Sequence, residues 1–174
     1  MKFRGTLIVA ALLAGPAQAE VVESGPQGFT SQSSALLSKP PAEVWARLVE
    51  WPRWWDPAHS YSGNAASLSL DPRAGGLLIE TWDGGSVRHA VVVAAMPGTM
   101  LRMSGGFGPL QALPMDAILD FSLQPEGQGT RLTMRYRVGG PPQSGLDKLA
   151  APVDAVMSAG FQRLSRFVET GKAP

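Results

Sequence analysis

A strand-like segment that runs almost directly into a short helix constrains the fold of this chain more than any other feature. Residues 35–57 read ALLSKPPAEVWARLVEWPRWWDP, in which an apolar run ends at Lys39. Pro40 and Pro41 stop a strand and favour the first turn of a helix, because proline fixes φ and lacks a backbone N–H. Residues 41–50 are predicted to form this helix, and residues 53–56 one further turn. We therefore expect a helix that crosses one end of the sheet to which the strand belongs.

The first nineteen residues have the pattern of a secretory signal peptide. Lys2 and Arg4 give a basic start, residues 6–14 are uncharged and mostly apolar, and Ala17-Gln18-Ala19 is a small-x-small cleavage site. The apolar run is too short for a stable membrane-spanning helix. An uncleaved anchor is the alternative. We expect cleavage after Ala19, a periplasmic or secreted mature protein, and no transmembrane anchor after cleavage.

Composition excludes several classes of partner and site. The formal net charge is +1 and becomes −1 without Lys2 and Arg4, so no basic excess is available for nucleic acid. The chain has no cysteine, which excludes disulfides and cysteine metal sites, and its two histidines, His59 and His89, exclude a histidine-rich metal site. The glycine pairs at 75–76, 84–85 and 105–106 lack the context of a phosphate-binding loop. They indicate turns, and no cofactor is predicted.

Short apolar segments separated by turn signals predict an antiparallel meander. Residues 20–27 are polar and contain Gly25 and Pro26, so a short flexible leader is expected there. Seven strands are predicted, over residues 29–37, 66–70, 77–82, 87–95, 100–104, 115–123 and 130–138. Between Leu146 and Val168 the apolar residues recur at spacings of three and four, ahead of Gly171. This spacing predicts a long amphipathic C-terminal helix.

The alternation of charged and apolar residues assigns one face of the sheet to the interior. The inward residues predicted in this way are Val87, His89, Val91, Val93, Leu101, Met103, Met115, Ala117, Leu119, Phe121, Leu123, Leu132, Met134, Tyr136 and Val138. Burying this face against the apolar stripe of the last helix is the expected packing. The methionines, with Gly160 on the helix stripe, suggest a hydrophobic cavity between sheet and helix. A solid core filled by methionine fits the same pattern.

The order of predicted elements resembles the helix-grip fold, an α+β fold in which a curved antiparallel sheet holds a long C-terminal helix. The stretches SKPPAEVWARLVEWPRWWDP, AGG, PGTMLRM and GTRLTMRYRV resemble the SRPBCC superfamily of START lipid-transfer domains, birch-pollen-allergen-like proteins and polyketide cyclases. The resemblance implies one domain over residues 28–171, with two short helices between the first two strands. It also implies a deep apolar cavity, but no particular reaction, because members of this superfamily share a pocket and not a chemistry.

The cavity that this resemblance implies would hold a hydrophobic small molecule. Its rim is expected at the tryptophan turn and the loop over residues 105–114, where Trp54 and Trp55 either cover the ligand or cap the core. The residues assigned to ligand binding are Trp54, Trp55, His89, Val91, Met103, Phe107, Met115, Phe121, Met134, Met157, Gly160 and Phe161.

His89 is the single candidate for acid–base catalysis. It has inward parity on a central strand, where it can orient a polar group of a ligand or act as a base. We favour the alternative of a core histidine, because no carboxylate falls at a clear pairing position on the inward faces. Glu80 alternates with Leu77 and Ile79 and is expected to face water.

Three functions follow from these observations. The first is an exported binding protein for a lipid or an aromatic compound. The second is a cyclase- or dehydratase-like enzyme that uses the same cavity with His89 as acid or base. The third is an interaction protein like the chaperone-ATPase activators of this architecture, a partner that export would make inaccessible. We favour the first over an enzyme.

Overall fold

The computed structural model describes residues 18–173, which form the helix-grip α+β fold predicted from the sequence. The eight strands are β1 (Gln18–Gly25), β2 (Gly28–Leu37), β3 (Leu68–Leu70), β4 (Leu77–Trp82), β5 (Gly85–Met96), β6 (Met100–Ser104), β7 (Asp116–Glu126) and β8 (Gly129–Gly139). The two α-helices are α1 (Pro41–Leu48) and α2 (Asp147–Thr170). All strand pairs are antiparallel, in the order β1-β2-β8-β7-β6-β5-β4-β3.

The sheet has one strand more than the seven predicted, because residues expected to form a flexible leader are paired. β1 lies along β2 at the edge of the sheet and also contacts α2. The predicted signal peptide falls on residues 1–17, which lie outside the described part of the chain, and on Gln18 and Ala19, which begin β1. A mature chain beginning at Glu20 would retain β1 from that residue onward.

The junction between β2 and α1 is built as the two prolines require. Pro40 is extended, with φ of −66° and ψ of 157°, and Pro41 is the first residue of α1. Val44 and Leu48 are buried on one face of α1, which packs against α2 and β7. The further turn predicted over residues 53–56 is not formed there: the structure instead has 3₁₀ turns at Trp51–Arg53 and at Pro57–His59. This segment carries the tryptophans to one end of the sheet.

The core lies between the sheet and α2, as the inward parity of β6 and β8 predicted. Leu101 and Met103 of β6 are completely buried, and the alternate residues of β8 from Leu132 to Val138 are buried too. The stripe of α2 that meets them consists of Ala150, Met157, Gly160, Phe161, Leu164, Phe167 and Val168. The alternation along the strands and the three-and-four spacing along the helix therefore predicted most of the core residues correctly.

The prediction of which β5 residues face inward is wrong beyond His89, because the strand contains a β-bulge at this residue. Leu78 pairs with Ala90 and Ile79 pairs with Arg88, so His89 is the extra residue. A bulge adds one residue to one strand and reverses the facing of the residues after it, here as far as a second register shift between Val92 and Ala94. His89 and Ala90 are both buried in consequence. Val91 and Val93, predicted to point inward, fall on the opposite parity to the buried Val92, and Val93 is 47% exposed.

Candidate functional site

A cavity of about 460 Å³ opens at one end of the sheet, beside the first half of α2. Its wall is contributed by the tryptophan segment, β5, the turn after β6 and α2. The lining residues are Trp55, Ala58, His59, Ser60, Tyr61, His89, Phe107, Gly108, Pro109, Leu149, Pro152, Val153, Val156 and Met157. A larger groove of about 670 Å³ lies against the β1–β2 turn, but turn residues dominate its lining. The first cavity is the better candidate site, because aromatic and aliphatic side chains enclose a few polar groups.

Four of the residues assigned to ligand binding from the sequence line this cavity: Trp55, His89, Phe107 and Met157. The others lie elsewhere. Trp54, Met103, Phe121, Met134 and Phe161 are buried in the core outside the cavity lining. Val91 is on the outward parity of β5, Met115 lies beside Gly106, and Gly160 packs against Trp55. Met103 and Met134 are therefore buried core residues, and the cavity beside α2 lies at the end of the core.

The gap expected at Gly160 is filled by the indole of Trp55. A Cβ atom at Gly160 would lie 2.9 Å from Cζ3 of that ring. Trp55 donates a hydrogen bond from Nε1 to the carbonyl oxygen of His59 at 3.2 Å, and its ring centroid lies 6.1 Å from that of Phe107. Trp54 instead caps the core, since it is 1% exposed and its Nε1 donates to the carbonyl oxygen of Leu48. The two adjacent tryptophans thus have different environments.

The loop that carries Phe107 is held by Tyr136 of β8. The Tyr136 hydroxyl donates to the carbonyl oxygen of Gly105 at 3.1 Å and accepts from the backbone N–H of Phe107 at 3.2 Å. Burial raises the pKa of Tyr136, so the hydroxyl stays protonated at neutral pH. Gly105 must be glycine, because a Cβ there would lie 2.2 Å from the carbonyl oxygen of His89. These contacts bring the Phe107 ring against His89, with centroids 5.9 Å apart and planes 19° apart.

A buried carboxylate lies beside His89, contrary to the prediction that Glu80 faces water. Glu80 is completely buried, and its Oε2 lies 3.1 Å from Nε2 of His89. The same carboxylate accepts the backbone N–H of Tyr61 on Oε2 at 3.0 Å and that of Ser62 on Oε1 at 2.6 Å. The sequence LLIETW is apolar in both phases of the strand, and the structure buries the phase of Leu78 and Glu80. The three partners of Glu80 lie between 9 and 19 residues away, outside β4, so the alternation within this strand could not reveal them.

The surroundings of Glu80 and His89 determine their charges. Burial alone would raise the pKa of Glu80, but hydrogen bonds from Ser62, Tyr61 and His89 outweigh it and hold the pKa below its ordinary value. Burial lowers the pKa of His89, and the bond to Glu80 offsets this only in part. At neutral pH the pair is therefore a carboxylate and a neutral imidazole.

The hydrogen bond to Glu80 selects one tautomer of His89. A carboxylate has only acceptors, so Nε2 of a neutral His89 must carry the proton it shares with Glu80. Nδ1 then carries a lone pair and can only accept a hydrogen bond. Nδ1 is buried and has no hydrogen-bond partner among residues 18–173. An acceptor of this kind is uncommon in a folded interior, where buried polar atoms are almost always paired.

Other classes of site are not evident in the described residues. No cluster of three His, Cys, Asp or Glu side chains between residues 18 and 173 could hold a metal ion. Within the same range, neither helix is long and apolar enough to cross a membrane.

Comparison with solved structures identifies several of the same architecture. CalU16 from Micromonospora echinospora is 17% identical, with a TM-score of 0.58 over 94% of this chain and 88% of that one. EF2215 from Enterococcus faecalis, a conserved protein of unknown function, is 13% identical, with a TM-score of 0.60 over 91% and 80%. Ara h 8.0201 is 13% identical, with a TM-score of 0.56 over 81% and 97%.

These likenesses are consistent with the helix-grip fold over nearly the whole described chain. No protein-family model and no curated protein matches the sequence. At such low identities the neighbours establish the architecture and not an activity.

Proposed function

We propose that this protein is an exported member of the SRPBCC superfamily that binds a hydrophobic small molecule, a lipid or an aromatic compound, in the cavity at the end of the sheet. The observation that carries the proposal is the 460 Å³ cavity with a mostly aromatic and aliphatic wall. Cavities of this size and composition accommodate drug-sized ligands. Trp55, His89, Phe107 and Met157 would contact the ligand together with the wall residues of α2.

The proposal is tested by filling the cavity. Val153 lines it from α2, whereas Ala155, two residues further along the helix, is exposed and outside the lining. Val153→Trp should abolish the fluorescence enhancement of N-phenyl-1-naphthylamine, an uncharged apolar dye, and Ala155→Trp should leave it unchanged. Circular dichroism would show that both variants are folded. Equal dye binding by the folded variants would place the binding site elsewhere.

The natural ligand should accompany the protein through gentle purification. Native mass spectrometry of protein taken from the periplasm is expected to show a bound mass, which extraction then identifies. Val153→Trp prepared in the same way should lack this mass. Sequencing of the exported protein from its N-terminus should begin at Glu20, as the proposed cleavage after Ala19 requires.

An acid–base enzyme of the cyclase or dehydratase kind is the second candidate function, favoured by the buried pair of Glu80 and His89. A carboxylate that holds an imidazole in one tautomer and stabilises its protonated form is a common arrangement for a general base. The test is to incubate the extracted ligand with wild type and with His89→Gln and to analyse the products by mass spectrometry. Conversion by wild type alone supports catalysis, and an unchanged ligand in both samples contradicts it.

A further inference from the structure

We propose that the cavity selects apolar ligands that carry a hydrogen-bond donor, with a phenol as the simplest case, because Glu80 fixes Nδ1 of His89 as an acceptor. The inference rests on the proposed function, since it names the class of ligand that the same cavity takes. It concerns two residues whose roles are distinct. His89 would contact the ligand, and Glu80 is a positioning residue that acts through His89.

The first step is that Glu80 itself is held rigidly. Its two oxygens accept backbone N–H groups from two consecutive residues, Tyr61 at 3.0 Å and Ser62 at 2.6 Å. Backbone donors cannot rotate away as side chains can, and β4 holds the other end of Glu80 in the sheet. The carboxylate is therefore preorganised as an acceptor before His89 is considered, and the Nε2–H tautomer follows from it.

The second step is that no group in the described protein uses Nδ1. The rings nearest to the imidazole are those of Phe107, at 5.9 Å between centroids, and Tyr61, at 5.8 Å. Phenylalanine has no donor. The Tyr61 hydroxyl is engaged with the carbonyl oxygen of Gly108 and with Oε1 of Gln111. His89 nevertheless lines the cavity, so the acceptor without a partner lies on a residue of the cavity wall.

The third step concerns access. Nδ1 is shielded from solvent in this structure, so a ligand hydroxyl reaches it only if a neighbouring ring moves. The Tyr61 side chain is the more exposed of the two rings, at 52%, and is tied to the turn that carries Gly108 and Gln111 by hydroxyl contacts of 3.3 and 3.1 Å. We infer that displacement of Tyr61 admits the donor group of the ligand to His89.

The expected selectivity follows from hydrogen-bond pairing in an apolar cavity. A ligand hydroxyl satisfies Nδ1 and is itself satisfied. The corresponding methyl ether offers only an acceptor, which leaves both its own lone pair and that of Nδ1 unpaired and out of water. Sites with a buried polar group discriminate strongly against analogues that lack the complementary group.

The test compares 2-naphthol with 2-methoxynaphthalene, which share the ring system and differ in the donor. Fluorescence titrations of the purified protein at pH 8 should show binding of 2-naphthol about tenfold or more tighter. In Glu80→Gln one amide oxygen replaces the two carboxylate oxygens that accept from Tyr61, Ser62 and His89, so the Nε2–H tautomer is no longer fixed and the preference should weaken or disappear. Glu126→Gln, which removes a carboxylate from an exposed ion pair with Arg131, is the matched control and should keep the preference.

A spectroscopic measurement separates this role from a merely structural one. Long-range proton–nitrogen NMR spectra should show an unprotonated Nδ1 and a protonated Nε2 for His89 in wild type, with His59→Asn used to assign the signals. The Nδ1–H tautomer should gain population in Glu80→Gln. This measurement holds even if a variant binds both ligands weakly.

The outcomes separate the inference from the function on which it rests. If wild type binds neither naphthalene, the donor requirement is wrong, and the dye titration with Val153→Trp and Ala155→Trp decides the proposed function separately. If wild type binds both equally, the proposed function stands and the donor requirement is wrong. A protonated Nδ1 in the wild-type spectrum would overturn the inference in either case.

Discussion

At the scale of single residues, the pair of Glu80 and His89 links the stability of the protein to pH. Burial lowers the pKa of His89 below its ordinary value, and the hydrogen bonds from Ser62, Tyr61 and His89 outweigh burial and lower the pKa of Glu80. The unfolded chain therefore binds more protons than the native state as pH falls, first at the histidine and then at the glutamate. Stability is lost when the unfolded state binds the extra protons.

We predict that His89→Gln reduces the acid sensitivity of folding between about pH 7.5 and 5, where an unfolded histidine with a pKa of about 6.5 takes up its proton. The glutamine amide can still donate to Glu80 and does not titrate. Urea unfolding at a series of pH values measures the effect. The wild-type free energy of unfolding should fall across this window, and that of the variant should stay flatter. Both should fall together below about pH 4.5, where the unfolded chain protonates Glu80 and the native state, in which the pKa of Glu80 is lowered, does not. Parallel curves above pH 5 would contradict the prediction.

The location of Glu80 shows where residue-level prediction from the sequence fails. The facing of β6 and β8 could be predicted because arginines mark one phase of each strand. β4 carries apolar residues on both faces, so the sequence does not show which face is buried or whether Glu80 points inward. The bulge at His89 adds a second difficulty, because a register shift depends on how two strands pair and not on either strand alone.

At the scale of elements, α2 packs so closely on the tryptophan segment that a side chain at Gly160 would press on Trp55. We predict that Gly160→Ala lowers the free energy of unfolding by about 1 kcal/mol. The new methyl group would lie 2.9 Å from the Trp55 ring, which is itself confined by Trp51, Trp54 and Phe107. Overpacking of this kind costs about 1–3 kcal/mol. The gain of about 1 kcal/mol in helix propensity offsets part of it.

The reverse substitution on the exposed face of α2 is the control for the helix propensity. Ala155→Gly should destabilise the protein by about 1 kcal/mol, because alanine is the better helix former where nothing obstructs it. Thermal or urea unfolding of both variants gives the comparison. A Gly160→Ala protein more stable than wild type would show that Trp55 yields at no cost.

β1 is the element that the sequence did not reveal. Its sequence QAEVVESG is polar at half of its positions and lacks the alternation of a half-buried strand. The strand forms by pairing with the edge of β2, from Gln18↔Ser34 to Gly25↔Gly28. The register shifts between Val21 and Glu23. The boundaries of β4 and β6, by contrast, match the prediction, since turn sequences mark both ends.

We predict that removal of residues 20–25 from the mature chain lowers the urea midpoint of unfolding and promotes self-association. The deletion leaves the backbone N–H and C=O groups of one side of β2 unpaired, and such an edge pairs readily with another chain. Size-exclusion chromatography and urea unfolding measure the two effects. Removal of residues 172–174, beyond the end of α2, is the control and should change neither. An unaltered midpoint would mean that β1 contributes little to the fold.

At the scale of the whole molecule, the cavity lies between the first half of α2 and the loop residues that face it. Met103 and Met134 are buried in the core between the sheet and α2. Leu149, Val153 and Val156, on the first half of α2, face the cavity with the loop residues as their opposite wall. The sequence predicted a cavity between sheet and helix with its rim at the tryptophan turn and the loop over residues 105–114, and the cavity beside α2 is lined by Trp55, Phe107 and Gly108 from these two segments. Side-chain type alone does not show whether a residue fills the core or lines a cavity, because methionine is found in both positions.

A ligand in this cavity would stabilise the domain as a whole, because it binds the native state and not the unfolded chain. We predict that 2-naphthol at about one hundred times its dissociation constant adds about 2.7 kcal/mol to the free energy of unfolding. For a domain of this length the Tm should rise by about 5–11 °C. Differential scanning calorimetry measures the shift, which should be absent in Val153→Trp and retained in Ala155→Trp. A shift of equal size in Val153→Trp would mean that the stabilising site is not the cavity beside α2.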